Sequence, residues 1–390
     1  MTDPAFRSLF ETNMGILPGE RILIFTDTIR PDEIVSDADR SRRERLTVTA
    51  QDAAEFARQE YGSCGFISFP ATSASGAEPP EQLWRAAFGD ETFERINKNG
   101  LLKRLIGKCT TSDDLTAARE IAAGSSEAAR VIVALANNST SHTRFRSLMN
   151  TAGCRYASLP HFDPDMFSTS MQVDWQALAE RTRRVARLLT DAVHATLTTP
   201  DGTNLTLSIA GRTAKADDGL LTASGCFGNL PAGEAYLAPV EGSTEGVLVV
   251  TCAPTRRLSA PLRLTVHAGN VTAIAGNDPY RERLEEKFRE SPLNRNIAEL
   301  GIGTNDRASR PDNVLEAEKI LGTVHIALGD NIGFGGTVST PFHEDYVLYR
   351  PTLAIGLPDG NSITILDNGR LLTPAPGPAA APTPEGPPCG

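Results

Sequence analysis

The sequence predicts an α/β plus α+β chain: an N-terminal open α/β domain over residues 1–170, then a β-rich antiparallel metal-binding domain over residues 171–372. Three observations lead there. Apolar strand-like runs alternate with helix-like runs through the first half, short turn-punctuated strands dominate the second, and 390 residues exceed the roughly 250–300 at which single cores stop growing.

In the first half, GERILIFTD (Gly19 to Asp27) is a turn followed by an apolar strand, and Val48 to Gly62 places Ala53, Phe56 and Ala57 on one helical face. GFISFP reads as a second short strand. Ala129 to Asn137 is continuous and β-branched, as a strand buried on both faces would be. RFRSLMNTAG into CRYASL repeats the helix-to-strand pattern.

The texture changes near Met171. A helix, VDWQALAERTRRVARLLTDA, opens the second domain, and ATLTTPDGTNLTLSIAG follows as a hairpin turning at Asp201-Gly202. AYLAPV, GVLVVTCAP, RLTVHAGNVTAIAG and TLAIGLPDGNSITILDNG continue as strands, with helices expected at ERLEEKFRES and around VLEAEKILGTVHIALG. The last stretch, residues 373–390, holds seven prolines in eighteen residues and predicts an extended tail, for which a linker, a cloning remnant and a docking segment all fit.

Charge and composition exclude several classes. With 38 basic against 48 acidic residues, a net charge of −10 and no basic cluster beside aromatics, the chain carries no footprint for nucleic acid. The polar, acidic N-terminus and the lack of any run of about 18 apolar residues point away from secretion and membranes, toward a cytoplasmic protein. Six scattered cysteines, with no CxxC or Cys/His finger spacing, do not support a zinc-thiolate site, and Cys389 falls in the tail. GxSxG and GKS/GKT motifs are missing as well, so serine nucleophiles and phosphate cradles lack a starting point.

What remains is a concentration of donors toward the C-terminus. In HEDYV, His343 and Asp345 stand two residues apart, and in a strand that spacing puts imidazole and carboxylate on one face, within reach of one ion. Glu318 lies seven residues before His325, nearly two turns if the segment is helical, so both would share a face. Between the histidines, GDNIGFGG supplies glycines that let backbone approach a ligand closely. Upstream, a Pro-Gly turn in GNLPAGEAYLAPVEG presents Glu234 at the start of a strand, whereas Glu241 and Glu245 read as loop charges.

Taken in order, GNLPAGEAYLAP, NIAELGIGTN, EAEKILGTVHIALG and FHEDYV resemble the motifs of the aminopeptidase T (thermophilic metalloaminopeptidase) family, over most of residues 171–372. The resemblance implies a homodimeric hydrolase with two divalent ions (Zn, Co or Mn) held by Glu234, a bridging Glu299, Glu318, His325, His343 and Asp345. Glu318 would also act as general base, and the substrate would be a peptide or small amide with a free amine. Such a metal pair can share and activate a water. The sequence departs from the family after HIALG, where Asp330 and Asn331 replace a Tyr.

Two alternatives accompany that expectation. One is a specialised amide hydrolase of a biosynthetic pathway. The other is a ring-cleaving dihydroxypyridine dioxygenase, which resembles the same fold but keeps one Fe(II) in a two-histidine, one-carboxylate site with His at the position of Glu299. The presence of Glu299, Glu318 and His325 favours the hydrolase at this stage.

Overall fold

The computed structural model of the chain describes residues 3–254 and 256–372; the Pro-rich tail expected over 373–390 lies outside the described residues. These residues form a mixed α/β protein of two compact units. One runs to Trp175 and includes Gly219–Pro231; the other comprises Gln176–Asp218 and the chain from Ala232 onward.

The first unit is built on a parallel sheet. Strands β1 (Ile22–Thr28), β2 (Cys64–Pro70), β3 (Val131–Ala134) and β4 (Arg155–Ser158) lie in the order β2-β1-β3-β4, and a later strand, Phe227–Asn229, joins the edge beside β4. The continuous apolar runs of β1 and β3 are buried almost throughout, because helices cover a parallel sheet on its faces. The helix expected from Val48 starts eleven residues earlier, at Asp37. Ser36 caps it by accepting from Asp39 N, and the polar DADRSRRER stretch forms its first turns, which apolar periodicity alone does not register. Gly62, at φ 92°, ends it.

The second unit contains two antiparallel sheets. Its strands, numbered in chain order with Phe227–Asn229 as β8, are β5 (His194–Thr198), β6 (Asn204–Ser208), β7 (Lys215–Asp217), β9 (Glu234–Leu237), β10 (Glu245–Ala253), β11 (Arg256–His267), β12 (Asn270–Ala275), β13 (Ile297–Gly303), β14 (Val324–Gly329), β15 (His343–Leu348), β16 (Thr352–Gly356), β17 (Ser362–Asp367) and β18 (Arg370–Leu371). Eight form the sheet β12-β11-β10-β6-β5-β16-β17-β18, and five form β15-β14-β13-β9-β7. Leu205, Leu248, Leu264 and Leu353 from the larger sheet share one core with Leu237, Leu300, Ile302, Ile326 and Leu328 from the smaller. Each such side chain contributes about 1.5–3 kcal/mol on burial.

One expected helix is largely a strand. Of VLEAEKILGTVHIALG, only Val314–Ala317 is helical, and Val324–Gly329 is β14, paired on both sides. Gly322 sits at φ 86°, where a Cβ would fall 1.9 Å from Gly369 O, so the chain reverses there before entering β14. Glu318 and His325 therefore do not share a helix face. Among the described residues no helix is long and apolar enough to cross a membrane.

Candidate metal centre

Alternation along the five-stranded sheet sorts its side chains. In β13 and β14, Leu300, Ile302, Val324, Ile326 and Leu328 turn to the core, so Glu299 and His325 turn to the opposite face. Register carries the rest: Asp345 pairs with Ala327, His343 with Gly329, Glu234 with Gly303 and Asp217 with Glu234. The six residues singled out in the sequence thus meet around one sheet face, five by strand register and Glu318 from the turn after Val314–Ala317. His343 and Asp345 share a face through their i, i+2 spacing, and His325 arrives by strand alternation, not by helix periodicity.

Among the described residues, Glu299, His343 and Asp345 offer three ligand atoms that all lie within 4.8 Å of one another. His343 Nε2 is 3.5 Å from Glu299 Oε2 and 3.5 Å from Asp345 Oδ2. Its Nδ1 donates to the Asp330 carbonyl at 2.8 Å, which orients the ring and leaves Nε2 toward the carboxylates, the usual outer support of a metal-bound imidazole. Asp345 Oδ1 is buried without a hydrogen-bond partner. An orphaned carboxylate oxygen beside a second carboxylate and an oriented imidazole suits a divalent cation.

His325 stands on the other side of Glu299, its Nε2 3.3 Å from Glu299 Oε1 and 3.4 Å from Glu234 Oε2. Gly301 makes room for it: a Cβ there would fall 2.0 Å from Nε2. The glutamates at 234 and 318 do not face the three-residue cluster alone. Lys319, fully buried, places Nζ 2.6 Å from Glu234 Oε1, 2.7 Å from Glu318 Oε1 and 3.9 Å from Asp217 Oδ2.

The charges explain the titration of the site. Burial pulls the His343 imidazole down, but the Asp345 and Glu299 charges outweigh it and raise it to about 10. His325 is likewise opposed by burial and raised to about 9, chiefly by its contacts with Glu299 and Glu234. Burial pushes the Asp345 carboxyl up, yet the His343 charge holds it well below the carboxylate range. For Glu299, Glu234 and Glu318 burial prevails and all three are raised. This is a dense anionic site whose imidazoles keep protons that a divalent ion would displace on binding.

A loop closes over one side of the cluster. The Phe334 ring lies 5.0 Å from the His343 ring and 5.6 Å from that of Tyr236. Glu241, read from sequence as a loop charge, anchors this loop instead: its carboxylate accepts from Asn331 Nδ2 at 3.0 Å and Thr337 N at 2.7 Å, and pairs with Arg212. Lys215 Nζ donates to Gly333 O at 2.9 Å. A small cavity lined by Cys252, Pro254, Pro311, Ala317, Val347 and Tyr349 reaches Asp345 from another side.

Sequence reasoning missed Lys319, Asp217 and Gly301. Lys319 follows Glu318 directly within EAEKILGTVHIALG, where an isolated lysine gives no local signal, and Asp217 belongs to a three-residue strand with no motif of its own.

A carboxylate-rich, imidazole-containing cluster on the face of an antiparallel sheet is of the kind that can hold a metal ion. The chain belongs to the NicX family, described as 2,5-dihydroxypyridine 5,6-dioxygenase, whose sequence model matches residues 105–373. Among solved structures, the chain is similar to a 2,5-dihydroxypyridine dioxygenase from Pseudomonas putida KT2440, with a TM-score of 0.67 and 18% identity, covering 95% of this chain and 97% of that one. It is also similar to AmpT from Thermus thermophilus, with a TM-score of 0.58 and 13% identity over 95% of this chain and 98% of that one. No curated protein matches the sequence.

The family match overturns the expected metallo-aminopeptidase, and with it the hydrolase and protease assignments: the family is one of dioxygenases. The resemblance to aminopeptidase T is a resemblance of fold. Glu299, Glu318 and His325, used to favour the hydrolase, did not discriminate, since all three stand in a chain of the dioxygenase family; of the expected ligands, Glu234 and Glu318 bind the Lys319 ammonium.

Proposed function

We propose that this protein is a ring-cleaving dioxygenase that uses one iron(II) ion, held by Glu299, His343 and Asp345, to open a hydroxylated pyridine ring. The observation that carries the reading is that three-residue cluster, inside the segment that matches the dihydroxypyridine dioxygenase family. The cluster has one imidazole and two carboxylates, Glu299 standing where the two-histidine, one-carboxylate oxygenase site has a second histidine; an iron(II) ion held there would supply the redox chemistry for adding both atoms of molecular oxygen across a ring bond.

The protein's own residues set the rest. Asp330 O fixes the His343 ring, so its Nε2 is presented without a rotameric search. Phe334 and Tyr236 offer aromatic surface on which a flat heteroaromatic ring stacks, and they exclude water from that side. Lys215, on the same sheet face as Glu234 by register and half-buried, is suited to donate to a ring hydroxylate. His325 buttresses Glu299 and fixes the orientation of its carboxylate.

The test is oxygen uptake. Protein reconstituted with iron(II) without air, then mixed with 2,5-dihydroxypyridine in aerated buffer, is expected to consume one O2 per ring lost, with both atoms of labelled oxygen in the product. Ring loss without oxygen uptake, or no turnover across a series of hydroxypyridines, refutes the reading.

A further inference from the structure

The anionic face carries more charge than one cluster needs. Asp217, Glu234, Glu318, Glu299 and Asp345 bring five carboxylates together, with side-chain exposures from 5% to 19%. They divide into two groups. Glu299 and Asp345 face His343, while Asp217, Glu234 and Glu318 face Lys319 Nζ. His325 Nε2 joins the groups, 3.3 Å from a Glu299 oxygen and 3.4 Å from a Glu234 oxygen.

We propose that the buried Lys319 ammonium is a built-in cation occupying a second cation position of this site, so that the protein takes a single divalent ion and excludes a second. The proposal rests on the reading that a metal binds at Glu299, His343 and Asp345. It deepens that reading by naming the residue that sets the metal count.

The geometry supports it at each point. Three carboxylates from three separate elements, β7, β9 and the turn after Val314–Ala317, converge on one nitrogen, as the ligands of an ion would. Two contacts, at 2.6 and 2.7 Å, are short ammonium–carboxylate hydrogen bonds. A bound metal needs oxygen atoms at roughly 2.0–2.2 Å, so Glu234 and Glu318 have to close in by only about half an ångström once the ammonium is gone, while Asp217, at 3.9 Å, is an outer partner. Glu234 Oε2 is buried without a hydrogen-bond partner, its charged neighbour being His325 Nε2 at 3.4 Å, which leaves it a ligand atom on that side. The lysine itself is fixed: Asn305 N donates to Lys319 O at 2.8 Å and Lys319 N to Glu316 O at 3.0 Å, with no part of its side chain exposed.

The chemical consequence is a division of labour. Lys319 neutralises part of the buried negative charge with a cation that no chelator removes. A lone ion beside it has no metal partner with which to share a hydroxide, which is the basis of two-metal hydrolysis.

The experiment counts ions. Manganese(II) is titrated into the full chain, and stoichiometry is read by equilibrium dialysis with elemental analysis and by electron paramagnetic resonance. Wild type is expected to take one Mn(II) with an uncoupled six-line spectrum; Lys319→Ala is expected to take about two, spin-coupled through the shared Glu234, His325 and Glu299 region. Two ions in wild type, or one in a folded Lys319→Ala protein, overturns the proposal. Should Lys319→Ala lose its fold without metal, millimolar Mn(II) is expected to restore its circular dichroism and its cooperative melting, and failure of that rescue also overturns it. Wild type that binds no ion, or whose ion survives Asp345→Asn unchanged, instead shows the proposed metal site itself to be wrong.

Discussion

Gly301→Ala is a one-methyl change that reports on the whole site. Gly301 does not have a positive φ, so alanine is compatible with the backbone and only space matters. The added Cβ falls 2.0 Å from His325 Nε2 and 2.1 Å from Cε1, against an ordinary contact of about 3.5 Å, so the ring has to move by about 1.5 Å. His325 is 1% exposed and close-packed, so that motion is an overpacking costing about 1–3 kcal/mol. At roughly 2–4 °C per kcal/mol for a domain of this size, the melting temperature falls by several degrees. The ring also leaves Glu299 and Glu234, and loss of such an outer partner weakens metal binding by about 10–100-fold. Cobalt(II) titration followed by visible absorption, together with thermal melts, measures both effects. Adding His325→Ala to Gly301→Ala removes the clash and is expected to return part of the lost melting temperature. If Gly301→Ala melts and binds cobalt as wild type does, His325 does not lie across Gly301 and the geometry derived for this face is wrong.

Further perturbations separate substrate binding, loop anchoring and metal binding. Phe334→Ala removes the ring beside His343 and Tyr236; at about 1 kcal/mol per aromatic contact, KM for a hydroxypyridine is expected to rise on the order of tenfold while metal affinity stays near wild type. Burial pushes the Glu241 carboxyl up, but hydrogen bonds from its own N–H, Thr337 N and Asn331 and the Arg212 charge outweigh that and hold it at about 2. A lowered folded-state pKa contributes stability that is present above the unfolded pKa of about 4.3 and is lost as pH falls toward the folded value. The stability gap between wild type and Glu241→Gln should therefore be widest near pH 7 and shrink between about pH 4 and 2 in urea unfolding. Saturating iron(II), at about 100 times its Kd, is expected to stabilise wild type by about 2.7 kcal/mol over chelator-treated protein, and to leave Asp345→Asn unmoved.

How much of this was legible in the sequence depended on the range of the interactions involved. The parallel strands β1 and β3 announced themselves because a run buried on both faces must be apolar throughout, as in Ile22–Phe25 and Val131–Ala134. His343 and Asp345 were readable as a pair because strand geometry fixes i and i+2 on one face without reference to anything distant. His325 lies on the same sheet face as the other candidates by strand alternation, and the helical reason offered for it failed, since the reversal at Gly322 depends on a close contact with Gly369, some forty-seven residues on. Lys319 is the clearest miss. Its ion pairs depend on Asp217 and Glu234, brought to it by sheet register across about a hundred residues, and no local pattern encodes that convergence.

The most direct test of the central claim is the position of the metal itself. Crystals grown without air in iron(II), with diffraction recorded on both sides of the iron absorption edge, are expected to give a single anomalous peak per chain in contact with Glu299, His343 and Asp345. A peak among Glu234, Glu318 and Asp217, or none near the sheet face, would contradict the account.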